Sequence, residues 1–188
     1  MSRYGGITVD VSGALDVADR LFATVKRAEQ AQRRALGTLR RRLPVQARRD
    51  IQAEYAIKAT TLRERLLTRT DTDGLRLIGK SRGMGLINFG ARQTRAGVSS
   101  QVLRGKRDVD AGAFLAPLLG NNLHAVERHG DKRRMTRGHY IGKLRQPLSV
   151  LYGPSVAQML QKGRRLDRLA EFAQRVIAAE LERLASTT

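Results

Sequence analysis

The sequence predicts an α+β fold in which a central antiparallel sheet is bracketed by a long N-terminal amphipathic helix and a C-terminal helix. Three observations carry this expectation. Apolar residues recur at helical spacing near both ends. Short apolar runs broken by Gly, Asn and Asp fill the stretch between. The apolar content, 41% of 188 residues, is enough for a core. One domain over 1–188 is expected, mainly helical over 1–67, mainly strands over 68–152, and helical over 153–188.

A short strand is expected at residues 6–11 (GITVDV). A long helix follows from Ser12, a suitable N-cap, to Leu43. Its stripe is Leu15, Ala18, Phe22, Val25, Ala35, Leu36, Leu39 and Leu43. Asp16 and Asp19 near its start and Arg40 to Arg42 near its end suit the helix dipole. Pro44 is expected to stop or kink the helix. A second helix (VQARRDIQAEY) follows, then a short third one from Thr61, where Thr61 and Glu64 have capping-box spacing.

From about Thr68 the runs LRLIG, GLINFG, VSSQVLRGKR, AFLAPLLGNN and LHAVERHG read as an antiparallel sheet of about four to six strands. Turns are expected at Asp73-Gly74 and at Gly83 to Gly85. A last strand, a turn at Gly153-Pro154 and a helix starting at Ser155 with Pro154 near N1 come next. The final helix spans about Arg164 to Ala185, with Leu166, Leu169, Ala173, Val176, Ile177, Leu181 and Leu184 on one stripe.

Composition narrows the function. The chain has no cysteine, so it has no disulfide, no thiolate metal site and no cysteine nucleophile. Aromatics are 4% and Trp is absent, so the core is aliphatic. The first residues lack the basic-then-apolar order of a secretion signal. No apolar run approaches the ~20 residues a membrane span needs. Charge is the loudest signal: 36 Lys and Arg against 17 Asp and Glu give +19, with a pI near 11.5. Such a chain favours polyanionic or acidic partners. Most of its cations are Arg, which binds phosphate and carboxylate bidentately.

Four local patterns are tested for chemistry. Gly74, Gly79, Lys80 and Ser81 fit the spacing of a phosphate-binding P-loop. A P-loop needs a buried strand before its first glycine and a helix at its Lys-Ser. Here TRTDTD precedes it, strand-forming residues lie between the glycines, and RGMG follows, so a β-hairpin is expected instead. Gly153 to Ala157 nearly matches a nucleophile elbow, but no His follows Ser155, which reads as a helix-start residue. His124, Glu127 and His129 lack zincin spacing, and on a strand the two histidines point to opposite faces. Asp108 and Asp110 beside Lys106 and Arg107 read as a charged turn. No catalytic, metal or cofactor site is therefore assigned, and the chain is read as no enzyme. Basic clusters with few interleaved aromatics leave open a sequence-neutral contact with nucleic-acid backbone.

Several strings occur together in a distinctive order: NFGARQTRAGVSSQVLRGKR (Asn88 to Arg107), GAFLA (Gly112 to Ala116), VERHG (Val126 to Gly130) and LYGPSVAQML (Leu151 to Leu160). With the basic helical stretch RRALGTLRRRLPVQARRDI and the short IKATTLRERL upstream, they resemble the phage minor tail protein Z family. The resemblance covers most of the chain from about residue 30. It implies a structural virion protein that completes the tail of a long-tailed phage near the head–tail junction, without catalysis. It would be made in the host cytoplasm and reside in the virion tail.

The resemblance also implies a ring of this chain, with six copies expected by analogy with other tail and neck rings. The implied neighbours are tail terminator, tail tube or head-completion proteins. The long helix is expected to make the ring contacts. Arg40, Arg41, Arg42, Arg48 and Arg49 are expected to face acidic surfaces of neighbouring rings. Tyr152, at a strand-to-helix corner, packs or reaches a partner, and Gly90 supplies a positive-φ bend. Lys132, Arg133, Arg134 and Arg137, on a glycine-flanked loop, are expected nearer a DNA path, as a non-specific contact with packaged DNA. The alternative, from the residues alone, is a sequence-neutral basic nucleic-acid-binding protein.

Overall fold

A computed structural model describes residues 25–71, 74–118 and 121–186. The strand expected at 6–11 and the helix start at Ser12 lie outside these residues. The class is α+β, with a long helix near the N-terminus, a helix at the C-terminus and antiparallel strands between them. The residues form two compact units. Among the described residues, the first holds 25–53, 59–71, 74–82 and 155–186; the second holds 54–58, 83–118 and 121–154.

In the first unit α1 runs unbroken over Val25–Glu54, with Pro44 inside it. Of the expected stop or kink at Pro44, the stop is corrected, and VQARRDIQAE continues the same helix instead of forming a second one. An internal proline costs about 3 kcal/mol. Against that, Leu39, Leu43 and Ile51 are wholly buried on both sides of it, each contributing roughly 1.5–3 kcal/mol. Burial wins. The buried line is Ala31, Ala35, Leu39, Leu43, Ala47 and Ile51, every fourth residue. The C-terminal helix buries a matching i, i+4 line of Arg165, Leu169, Ala173, Ile177 and Leu181. Such ridges are what helices pack into one another's grooves. The two helices meet where the Thr38 hydroxyl donates to the Glu180 carboxylate, 3.4 Å away.

Helix α2, Ala59–Arg63, starts two residues before the expected cap, so Thr61 lies inside it. Strands β1, Leu66–Asp71, and β2, Gly74–Gly79, form an antiparallel hairpin in which Asp71 pairs with Gly74. Helix α3, Val156–Gln161, packs on β2 so closely that a Cβ on Gly79 would lie 3.1 Å from the Ala157 nitrogen. Ser155 is its N-cap: Oγ accepts from Gln158 N–H at 3.2 Å, and the Gln158 side chain accepts from Ser155 N–H at 2.9 Å. Pro154 thus precedes the cap rather than sitting at N1. Helix α4 spans Arg165–Ala185, with Leu166 and Leu184 only half-buried at its ends.

The second unit carries the remaining strands in four small sheets. Strands β3 (Met84–Gly85) and β12 (Tyr152–Gly153) pair, so the turn expected at Gly83 to Gly85 is a short strand. Residues 86–89, expected as strand, form a 3₁₀ turn that ends on Gly90 at φ 65, ψ 39. Buried Phe89 ends that turn, and a Cβ on Gly153 would lie 2.6 Å from its ring. Strands β4 (Arg92–Gln93), β5 (Gly97–Ser100) and β6 (Asp108–Ala111) form one sheet. Asp108 and Asp110 are therefore on an edge strand, not in a turn. Gly97 has φ 153, and any Cβ there would overlap the Asp110 carbonyl oxygen, so only glycine fits. Strands β7 (Phe114–Leu118), β8 (Asn122–Arg128) and β11 (Leu148–Val150) make the third sheet. Strands β9 (Arg133–Arg134) and β10 (Leu144–Arg145) make the fourth. The strands are thus divided among small sheets rather than gathered into one.

Candidate functional site

The P-loop pattern dissolves in the structure. Gly74 to Gly79 is strand β2, whose partner is β1, and Lys80 N–H donates to Arg65 O at 3.0 Å. No helix begins at Lys80 or Ser81. The backbone that would have cradled phosphate is committed to the hairpin. The histidines are scattered in role. His124 lies in β8, and its buried Nδ1 has no hydrogen-bond partner among the described residues. His129 is exposed just beyond β8, and His139 meets Tyr140 edge-on at 5.0 Å. Among the described residues no group of three His, Cys, Asp or Glu side chains could hold a metal. None of the described helices is long and apolar enough to cross a membrane.

Basic surfaces are what remains, and the structure places them on two separate features. The first is the outer face of α1. Arg40, Arg41, Arg42 and Arg49 are exposed there, and Arg48 is half-buried. Seven residues span 700° of an α-helix, 20° short of two turns. Arg34, Arg41 and Arg48 therefore stand almost in line, opposite the middle of the buried ridge. Seven arginines and no acid occupy residues 33–49. Sequence reading placed five of these toward a partner and named Arg33 and Arg34 only as part of the basic stretch; the spacing of seven was the signal that aligns Arg34 with Arg41 and Arg48.

The face is not uniform in its availability. Glu180 of α4 has a carboxylate held below its ordinary value, first by the hydrogen bond from Arg183, against the opposing effect of burial, and further by the charge of Arg183, by Thr38 and by the charge of Arg42. The charge of Arg42 acts weakly on Glu180, whereas Arg41 donates to Thr38, with Nη2 to Oγ1 at 3.5 Å. The apolar ridge of α1 is buried within the chain. Among the described residues of the helix, the basic face is the most exposed.

The second feature is the segment that carries Lys132, Arg133, Arg134 and Arg137. All four are exposed. The expected loop is in part a strand pair, since Arg133 pairs with Arg145 and Arg134 with Leu144. This pairing brings in Lys143 and Arg145, which sequence reading passed over. Arg145 stacks on Tyr140 at 3.7 Å, and Lys143 lies 5.8 Å from the same ring. Apolar side chains are exposed beside these cations: Ile141 is 65% and Leu144 64% accessible. Tyr152 stands elsewhere, on β12, 52% exposed and reaching outward.

Comparison with protein-family models, with curated proteins and with solved structures finds no match for the chain.

Proposed function

We propose that this chain is a structural virion protein that completes the tail of a long-tailed phage near the head–tail junction, acting through its surfaces and not through a reaction. The observation that carries this reading is the exposure of large apolar side chains on short edge strands. Val109 on β6 and Tyr152 on β12 are each at least half exposed. Exposed apolar groups of this kind mark surfaces that neighbouring subunits cover. The order of the four strings that resemble the minor tail protein Z family is the second support.

On this reading several copies form a ring, six by analogy with other tail and neck rings. The stripe of Arg34, Arg41 and Arg48 faces acidic surfaces of tail terminator, tail tube or head-completion proteins. Charge complementarity of this kind speeds and orients docking. The chain needs no cofactor, metal or membrane for this, and it moves from the host cytoplasm into the virion. The alternative, a free-standing sequence-neutral nucleic-acid-binding protein, has the basic ribbon at residues 128–148 in its favour.

In vitro joining tests the reading. Tails assembled without the chain are mixed with filled heads, with and without the purified protein. Addition should restore infectious particles. Arg34→Glu with Arg41→Glu should fold normally and fail to restore them. Failure of the unaltered protein to join heads and tails sinks the reading.

A further inference from the structure

Between Arg128 and Leu148 the chain leaves the three-stranded sheet as a two-stranded arm. The register shifts along it. Arg128 pairs with Leu148 at the base, and Arg133 pairs with Arg145 farther out. Residues 129–132 thus face only 146 and 147, a bulge that bends the ribbon at Gly130, φ 67. His129 N–H donates to Pro147 O at 2.9 Å, and Gln146 Nε2 donates to Gly130 O at 2.7 Å, holding the bend. Beyond the paired strands, Met135 N–H bonds Lys143 O at 3.0 Å and Gly142 N–H bonds Met135 O at 2.8 Å. At ~3.3 Å per residue the arm reaches at most about 30 Å from its base.

Every residue from 129 to 145 except Met135 is exposed, so neither face of the arm rests on a core. A lone two-stranded ribbon is marginal in water. Its charges make it worse. Arg133 lies directly opposite Arg145, and like charges so placed repel. By the alternation of the pleat, Lys143 shares their face. Arg134 stands on the other face with Leu144, its Nη1 tied to Gly142 O at 2.9 Å. From Lys132 to Arg145 there are six cations and no acid. Among the described residues none of them is in an ion pair.

Cations on both faces of one ribbon select the partner. A flat anionic surface, lipid or protein, would neutralise one face and strand the other. A duplex groove has phosphates along both walls, and the major groove of DNA, about 12 Å wide, admits a two-stranded ribbon. The major groove of A-form RNA is too narrow for side chains to enter. Tyr140 is capped by Arg145 and is no free platform for an unpaired base, which single-strand binding would use. We propose that the arm at residues 128–148 inserts into a groove of duplex DNA and holds it by its phosphates, without reading sequence. This sharpens the DNA contact expected of Lys132, Arg133, Arg134 and Arg137 into a groove-bound arm, and its observations do not rest on the tail reading. Heads and tails joined by a chain that ignores DNA would remove this proposal alone.

Fluorescence anisotropy of the full chain with a short random-sequence duplex, over a salt series, tests it. The unaltered chain should bind, and Arg133→Gln with Arg145→Gln should make the log–log salt slope shallower by about 2 and lower affinity at least about tenfold. Arg133→Lys with Arg145→Lys should retain binding, and both variants should melt like the unaltered chain, since neither residue touches the core. Arg34→Gln with Arg41→Gln on α1 should cost much less. Four results would overturn the proposal: no duplex binding at physiological salt, equal loss from the arm and α1 variants, equal affinity for a single strand of the same length, or arm-dependent binding to phosphatidylserine vesicles in place of DNA.

Discussion

Replacing Leu43 by Ala tests whether the ridge of α1 is the core of the subunit or a seam between subunits. Leu43 is wholly buried within the chain, one residue before Pro44. The change removes three carbons. At about 0.8 kcal/mol per methylene the transfer loss is roughly 2.4 kcal/mol. The cavity left beside a helix that cannot easily collapse around its proline adds to this, for a total of about 3–4 kcal/mol. For a chain of this size each kcal/mol moves the melting temperature by about 2–4 °C, so a fall of roughly 6–15 °C is expected. Thermal unfolding followed by circular dichroism at two protein concentrations reads it. Leu36→Ala, at a half-buried neighbour, should cost about half as much. Two results would refute the reasoning. One is a fall below about 2 °C. The other is an unaltered chain whose melting temperature climbs steeply with concentration, which would mean that association covers the ridge.

Gly37→Ala should stabilise by about 0.5–1 kcal/mol, because glycine is a poor helix former and a Cβ at Gly37 meets nothing within 4 Å; a lowered melting temperature would contradict the open space there. Ser155→Ala removes the hydroxyl that accepts from Gln158 N–H, while the Ser155 N–H bond to the Gln158 side chain remains, and should cost about 1 kcal/mol in a denaturant titration, with Ser155→Asp retaining most of the stability. Glu180 is more acidic folded than unfolded, so its share of stability is present above its unfolded value and fades as pH falls through its lower folded value. Because its partner Arg183 is exposed, it contributes under about 1 kcal/mol; a carboxyl NMR titration with a midpoint at or above that of an unfolded glutamate would refute this. The isolated chain, at +19, should sediment as a monomer in dilute low-salt buffer, and a stable hexamer there would show that repulsion does not hold copies apart.

Much of the scaffold was legible because periodicity reports burial directly. Leu169, Ala173, Val176, Ile177 and Leu181 were read as one stripe and are buried together. Ser155 was read as a helix-start residue and caps α3. Strand β2 followed from strand-forming residues between turn signals, whereas its partner β1 carries the polar TRTD, which reads as a turn and is a strand only through its pairing. Misreadings arose where tertiary burial overrides a local rule. Pro44 looked like an end because its cost is local, whereas the gain from Leu39, Leu43 and Ile51 is not. The string GLINFG looked like a strand, yet buried Leu86 and Phe89 close a 3₁₀ turn on Gly90. The sites were half legible. Clusters such as Arg40 to Arg42 are visible as strings. That Arg133 faces Arg145 depends on a register set by a bulge at Gly130, and single-residue counting cannot see a bulge.

The central claim, a protein that finishes a phage tail, is tested most directly by electron microscopy of lysates from a phage genome that lacks this coding sequence. The account predicts filled heads beside separate tails of normal length, few joined particles, and recovery of infectivity when the chain is supplied from a plasmid. Joined, infectious particles in normal yield without the chain would contradict it.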